Sequence, residues 1–191
     1  MPFVVVVTGV PGSGKSTLAR DLADALEAEL ISLDTIKEEL YDAHAGALDG
    51  FDLRLAAERE VTRRLDRTHT TAVVDIWVQP ARDVERMTVL FAAEQVVEVL
   101  CRVPAALAVD RYVRRPRTGP HKSPDDATLQ RIRDAADVIA PLGTGPCIEV
   151  DTSVAVDCDA LTAAVLAVTP RSGPAGSVTR SGCRRRRGST R

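Results

Sequence analysis

Gly9-Val10-Pro11-Gly12-Ser13-Gly14-Lys15-Ser16-Thr17 gathers three glycines, a lysine and three hydroxyls into one short stretch. Glycines permit turns in which successive backbone N–H groups face inward, and inward amides bind anions. The spacing is that of G-x-x-x-x-G-K-[ST], whose chemistry is the cradling of a polyphosphate. Lys15 is expected to reach the β- and γ-phosphates and the Ser16 hydroxyl to ligate Mg²⁺. ATP and Mg²⁺ are therefore the implied cofactors, with Gly9, Pro11, Gly12, Ser13, Gly14, Lys15, Ser16 and Thr17 as the nucleotide-binding set. A Gly-rich turn that merely joins two elements is the competing reading.

Two carboxylates and a group of arginines complete the candidate chemistry. Asp34 falls just past an apolar run, where open α/β sheets place their ligands, and could accept the proton of an acceptor hydroxyl. It could equally cap a helix beginning at Thr35. Asp75 closes Ala72-Val73-Val74 and is placed to help hold Mg²⁺, or to bond a neighbouring loop. Arg111, Arg114, Arg115 and Arg117 surround a Pro- and Gly-interrupted segment. As a group they suggest a lid, one or two of whose guanidiniums fork onto phosphate oxygens and exclude water, beside Lys15 and Asp34 as catalytic candidates.

The elements that must position these groups follow from hydrophobic period. Phe3 to Val7 is a β-branched run of the kind buried on both faces of a sheet. From Ser16 the spacing turns helical, with Leu18, Leu22, Leu26 and Leu30 on one stripe. Further strands are expected at Leu30 to Leu33, Thr71 to Ile76, Val96 to Val103 and Cys147 to Val150. Helices are expected at Thr35 to Tyr41, around Leu53 to Leu65, at 81–93 with Val84, Met87 and Phe91 inward, after Pro104, after Ser123 and at Asp159 to Val168. Alternating strands and helices imply a three-layer α/β fold, a five-stranded parallel sheet with helices on both faces.

Length and composition narrow the rest. With 191 residues, one domain is expected at 1–169, carrying a short lid at about 111–124, and a disordered basic tail at 170–191. The net charge of −2 conceals an acidic body, since every Asp and Glu lies at or before Asp159 while the tail holds Arg184 to Arg187. An acidic body disfavours a nucleic-acid-coating role and favours a small substrate. The four cysteines show no metal-like spacing with the three histidines, and reduced thiols are expected. The N-terminal apolar run is too short for a leader or a membrane span, so a cytoplasmic location is expected, with no membrane partner.

Taken together, the phosphate loop, Leu33-Asp34, Val73-Val74-Asp75, Cys101-Arg102-Val103-Pro104, Arg111 to Arg115 and Glu149 to Ser153 resemble a known group. It is the small P-loop kinases of the adenylate-kinase-like fold, which includes polynucleotide 5′-kinase domains, chloramphenicol phosphotransferase and zeta-toxin-like proteins, often labelled AAA family ATPases. The resemblance implies sheet order 2-3-1-4-5, action of Asp34 on the acceptor hydroxyl, and phosphate binding by Arg111 and Arg115 of the lid. Many relatives carry a glycine- and histidine-rich lid, whereas this chain has Gly119-Pro120-His121-Lys122-Ser123-Pro124. The leading expectation is an ATP-dependent phosphotransferase acting on a small-molecule hydroxyl, as a monomer or homodimer. A nucleoside, nucleotide or polynucleotide 5′-hydroxyl is the nearest alternative acceptor, with nucleic acid not favoured. A nucleotide-driven switch or ATPase is the alternative from another class.

Overall fold

The computed structural model describes residues 2–48, 50–80, 82–92, 94–116 and 124–169. Residues 117–123, which include Arg117 and half of the expected lid, and the expected tail at 170–191 lie outside the described residues. The elements run β1 (Val4–Thr8), α1 (Lys15–Ala25), β2 (Glu29–Ser32), α2 (Leu33–Ala43), α3 (Gly50–Arg67), β3 (Ala72–Asp75), α4 (Val84–Leu90), β4 (Val96–Arg102), α5 (Ala105–Arg114), α6 (Asp126–Val138), β5 (Cys147–Asp151) and α7 (Cys158–Val168). The strands form one sheet in the order β2-β3-β1-β4-β5, and every neighbouring pair is parallel. Both the three-layer reading and the strand order implied by the resemblance hold.

Period-2 alternation in the central strand explains the layering. Val4 and Val6 turn toward Ile36 of α2, Ala57 and Val61 of α3 and Met87 of α4. Phe3, Val5 and Val7 turn the other way, toward Leu18 and Leu22 of α1 and Leu161 and Val165 of α7. Both sides of β1 are therefore dry, as a parallel sheet covered by crossover helices requires. A third cluster joins Val10 and Leu100 to Ala108 of α5 and Ile132 of α6, beside the carboxyl ends of β1 and β4.

Three local expectations are corrected. Leu30 does not continue the stripe of α1, because Glu27 takes a left-handed backbone (φ 50°) and ends the helix. The N–H of Ala28 then bonds Ala23 O at 2.9 Å and that of Glu27 bonds Asp24 O at 3.3 Å, a Schellman closure. Leu30 lies in β2 and is partly exposed. The helix expected at 81–93 covers only Val84–Leu90, with Met87 buried and Val84 exposed. The helix expected after Ser123 begins only at Asp126, capped by Asp125, whose carboxylate accepts from Thr128 N at 2.7 Å. Among the described residues no helix is long and apolar enough to cross a membrane.

Candidate active site

β1 delivers the glycine-rich loop to the carboxyl edge of the sheet, and the loop closes directly onto α1. Ser13 N donates to Val10 O at 3.0 Å, and Gly14 occupies the N-cap of α1 with φ 84°, so no side chain caps the helix. The first-turn amides and the helix dipole are thus presented to an anion. Gly12, at φ 83°, lies so close to α5 that a Cβ there would meet Ala108 O at 2.0 Å. That contact brings the last turn of α5 to the loop. The Arg111 guanidinium lies 4.0 Å from where a Cβ on Gly14 would stand, and Arg111 Nη1 donates to Thr152 O at 2.9 Å.

Lys15 is 6% exposed and Asp75, at the end of β3, is 3% exposed. Their charged atoms, Nζ and Oδ1, stand 3.8 Å apart. Asp75 Oδ2 accepts from Ser32 Oγ at 3.3 Å, whereas Asp75 Oδ1 and Ser13 Oγ are buried without a hydrogen-bond partner. Buried polar atoms left unmade are costly, so orphaned oxygens beside a polyphosphate cradle mark where ligand atoms belong. The donors fit Mg²⁺, which takes few protein oxygens and completes its shell with water and substrate phosphates. Among the described residues no group of three or more His, Cys, Asp or Glu forms a metal cage.

A cleft of about 600 Å³ opens from the loop, lined by Gly12, Lys15, Thr17, Asp21, Arg111 and Arg115, among others. The structure thus gathers the phosphate loop, Arg111 and Arg115 in one place. Gly9 lies behind them, packed on Cys101. Burial, opposed by Lys15 and reinforced by Asp75, pushes the Cys101 thiol up to about 12, so it is an inert core residue.

Asp34 is outside the wall of this cleft. It stands in the first turn of α2, whose N-cap is Ser32, so Asp34 is not the cap of a helix beginning at Thr35. Its Oδ1 accepts from Lys37 Nζ at 2.7 Å. Ser32, bonded to Asp75, connects the start of α2 to the Lys15–Asp75 pair.

Several groups at or near this edge escaped the sequence reading. Arg54 of α3 is buried, donating through Nε to Glu58 Oε1 at 2.5 Å and through Nη2 to Trp77 O at 3.1 Å. Arg86 donates to both Glu58 and Asp83, and the fully buried Asp83 also accepts from Arg82 and from Gln79 N. Burial alone would raise the Asp83 carboxyl, but Arg82, Arg54, the Gln79 amide and Arg86 together hold it far below its ordinary 3.8. The network fixes the segment that follows Asp75. Its Arg54–Glu58 pair, at i,i+4, and its Asp83–Arg86 pair, at i,i+3, are visible as helical spacings.

A family model described as an AAA domain matches residues 4–142. The chain belongs to that family. An uncharacterized protein of Mycobacterium tuberculosis is 31% identical over 126 residues, 59% of this chain and 25% of that protein. The chain therefore spans about a quarter of the length of that curated relative. Among solved structures, a protein from Chloroflexus aurantiacus described as a candidate kinase is 25% identical with a TM-score of 0.72, covering 87% of this chain and 98% of that one. A gluconokinase from Sinorhizobium meliloti is 20% identical with a TM-score of 0.57, covering 88% and 91%. This AAA domain thus has the kinase-like P-loop fold that its phosphate loop and sheet order indicate.

Proposed function

We propose that the protein transfers the γ-phosphoryl group of Mg-ATP to a hydroxyl of a small molecule. The observation that carries the reading is the buried Lys15–Asp75 pair, with its orphaned carboxylate oxygen, directly behind an uncapped helix N-terminus that Arg111 overlooks.

In this reading the amides of Gly12 to Thr17 hold the polyphosphate and Lys15 neutralises its β- and γ-oxygens. Ser16 and Asp75 hold Mg²⁺, which supplies charge neutralisation on the phosphate oxygens when bound. Arg111 and Arg115, on the lid side of the cleft, bind phosphate oxygens as charge moves toward the leaving group. Asp34 orients the acceptor hydroxyl. A new bond forms from the acceptor oxygen to the γ-phosphorus, and the bond from that phosphorus to the β,γ-bridging oxygen breaks. The hydroxyl proton passes to the Asp34 carboxylate and on to solvent, and ADP leaves. Lys37, bonded to Asp34, fixes the carboxylate's orientation. The kinase-like fold shared with the gluconokinase supports a small polyhydroxylated acceptor.

The test is a screen of small hydroxyl acceptors with ATP labelled at the γ-phosphate, run on the wild type and on Asp34→Asn. The expected result is transfer to an acceptor by the wild type, with transfer lost and ATP binding kept in the variant. Equal ATP turnover in both proteins, with no labelled acceptor, would contradict the reading.

A further inference from the structure

The cleft extends well beyond the phosphate loop, and its far part carries a carboxylate that phosphate binding cannot use. Asp21 lies on α1 four residues after Thr17, which at 1.5 Å per residue places it about 6 Å further along the helix. It lines the same cleft as Thr17, Val154, Val156 and Cys158. Among the described residues, the contact recorded for its carboxylate is the Cys158 thiol, Sγ to Oδ2 at 3.8 Å. Burial, then the nearby Asp21, Asp157 and Asp159, push that thiol upward, so it remains a weak S–H donor at neutral pH.

An ionised carboxylate only accepts hydrogen bonds and has room for about four of them, so one thiol leaves most of its capacity open. Beside a polyphosphate it would be repulsive, and the remaining charged groups of the cleft, Lys15, Arg20, Arg111 and Arg115, are all cations. A carboxylate in that company requires a part of the ligand that carries donors and no charge. In a nucleoside triphosphate whose phosphates occupy Gly12 to Thr17, the ribose is the next group outward and offers two adjacent O–H donors. Val154 and Val156, in the same cleft, present apolar surface suited to the face of a base. Beside the phosphate loop the cleft thus offers a carboxylate and apolar surface, the two kinds of group that a ribose cis-diol and a base would meet.

We propose that Asp21 accepts hydrogen bonds from the 2′- and 3′-hydroxyls of the donor nucleotide's ribose, making the site selective for ribonucleotides over 2′-deoxyribonucleotides. This rests on the nucleotide reading of the site. The chemistry is that of a carboxylate on a ribose hydroxyl, as in dinucleotide-binding folds, placed here on the phosphate-loop helix itself.

Titration calorimetry with Mg-ATP, Mg-dATP and Mg-GTP on the wild type, Asp21→Ala and Asp21→Asn tests it. The wild type should bind ATP about tenfold more tightly than dATP, the loss expected for one hydrogen bond to a charged group. Asp21→Ala should weaken dATP through loss of the 3′-hydroxyl contact and ATP about tenfold further, so that the two bind alike, and Asp21→Asn, which keeps one acceptor oxygen, should fall between. Equal wild-type affinity for ATP and dATP would overturn the proposal. So would equal weakening of both by Asp21→Ala, or a changed ATP-to-GTP ratio with ribose discrimination intact. Because Asp21 is exposed, its variants should keep the wild-type Tm. Lys15→Ala is measured alongside: full ATP binding by that variant would sink the nucleotide reading itself, whereas its loss with Asp21 silent would sink only the ribose contact.

Discussion

Lys15 Nζ stands 3.8 Å from Asp75 Oδ1, with both side chains buried at the carboxyl edge of the sheet. The gap exceeds a hydrogen bond, and the Asp75 oxygen has no other partner. The sheet enforces the arrangement, because β1 and β3 are adjacent and in register, with Val7 opposite Asp75.

The approach of Gly12 to α5 predicts a sharp steric effect. A Cβ at this position would meet the Ala108 carbonyl at 2.0 Å, and the backbone there is left-handed at φ 83°. Gly12→Ala must push the loop and α5 apart, carrying Arg111 away from Gly14. Nucleotide affinity should fall at least about tenfold, with a stability loss of about 1–3 kcal/mol. Calorimetry and urea denaturation of the variant check both.

The end of α1 predicts a stabilising change. Glu27 occupies the left-handed position of a Schellman closure, where glycine carries no Cβ penalty, and its side chain is exposed. Glu27→Gly should add about 0.5–1 kcal/mol and raise Tm by about 1–4 °C, with nucleotide binding unchanged. A calorimetric melt that shows a lower Tm would contradict the account of why this helix stops.

Glu98 makes a different kind of contribution. Fully buried in β4, it accepts from Leu142 N at 2.6 Å, Thr144 N at 2.7 Å and Thr144 Oγ1 at 2.9 Å, tying the turn before β5 to the sheet. Glu98→Gln sets an amide N–H₂ against one of those backbone donors. The expected cost is about 1–3 kcal/mol, read as a lower midpoint in urea with an unchanged slope.

Acid stability should depend on Asp83. Its folded pKa is depressed, so its contribution is present above the ordinary 3.8 and is lost as the pH falls below that value. Asp83→Asn should destabilise the protein at neutral pH by about 3 kcal/mol, since Arg54, Arg82 and Arg86 lose a shared anion. The variant should also lose the Asp83 part of the steep fall in stability between pH 4 and 2. Denaturation at pH 7, 4 and 3 separates the two effects, and an undiminished slope in the variant would contradict the role given to Asp83.

What the sequence made legible is what depends on neighbours along the chain. The phosphate loop, β1, α1 and Asp75 were readable because a fixed motif sits between a β-branched run and a helical stripe. Asp34 was found as the acid after β2, but its partner Lys37, only three residues away, was passed over. Arg82 and Arg86 are chain neighbours of Asp83 and could have been read as its partners, but Arg54 comes from α3, and only the packing of α3 and α4 on one face of the sheet brings it to them. The same network explains why the helix expected at 81–93 is short: Asp83 turns back to bind Gln79 N instead of continuing the helix. Leu30 misled because the four-residue spacing carries on past Ala25, whereas the backbone reverses at Glu27.

The central claim is that the loop from Gly9 to Thr17, with Lys15, holds a nucleotide's polyphosphate. Titration calorimetry of Mg-ATP into the full chain and into Lys15→Ala tests it most directly. Saturable one-to-one binding by the wild type, weakened about 10- to 100-fold in the variant through loss of a hydrogen-bonded charge, is the predicted result. No heat of binding with Mg-ATP, or the same affinity in both proteins, would contradict it.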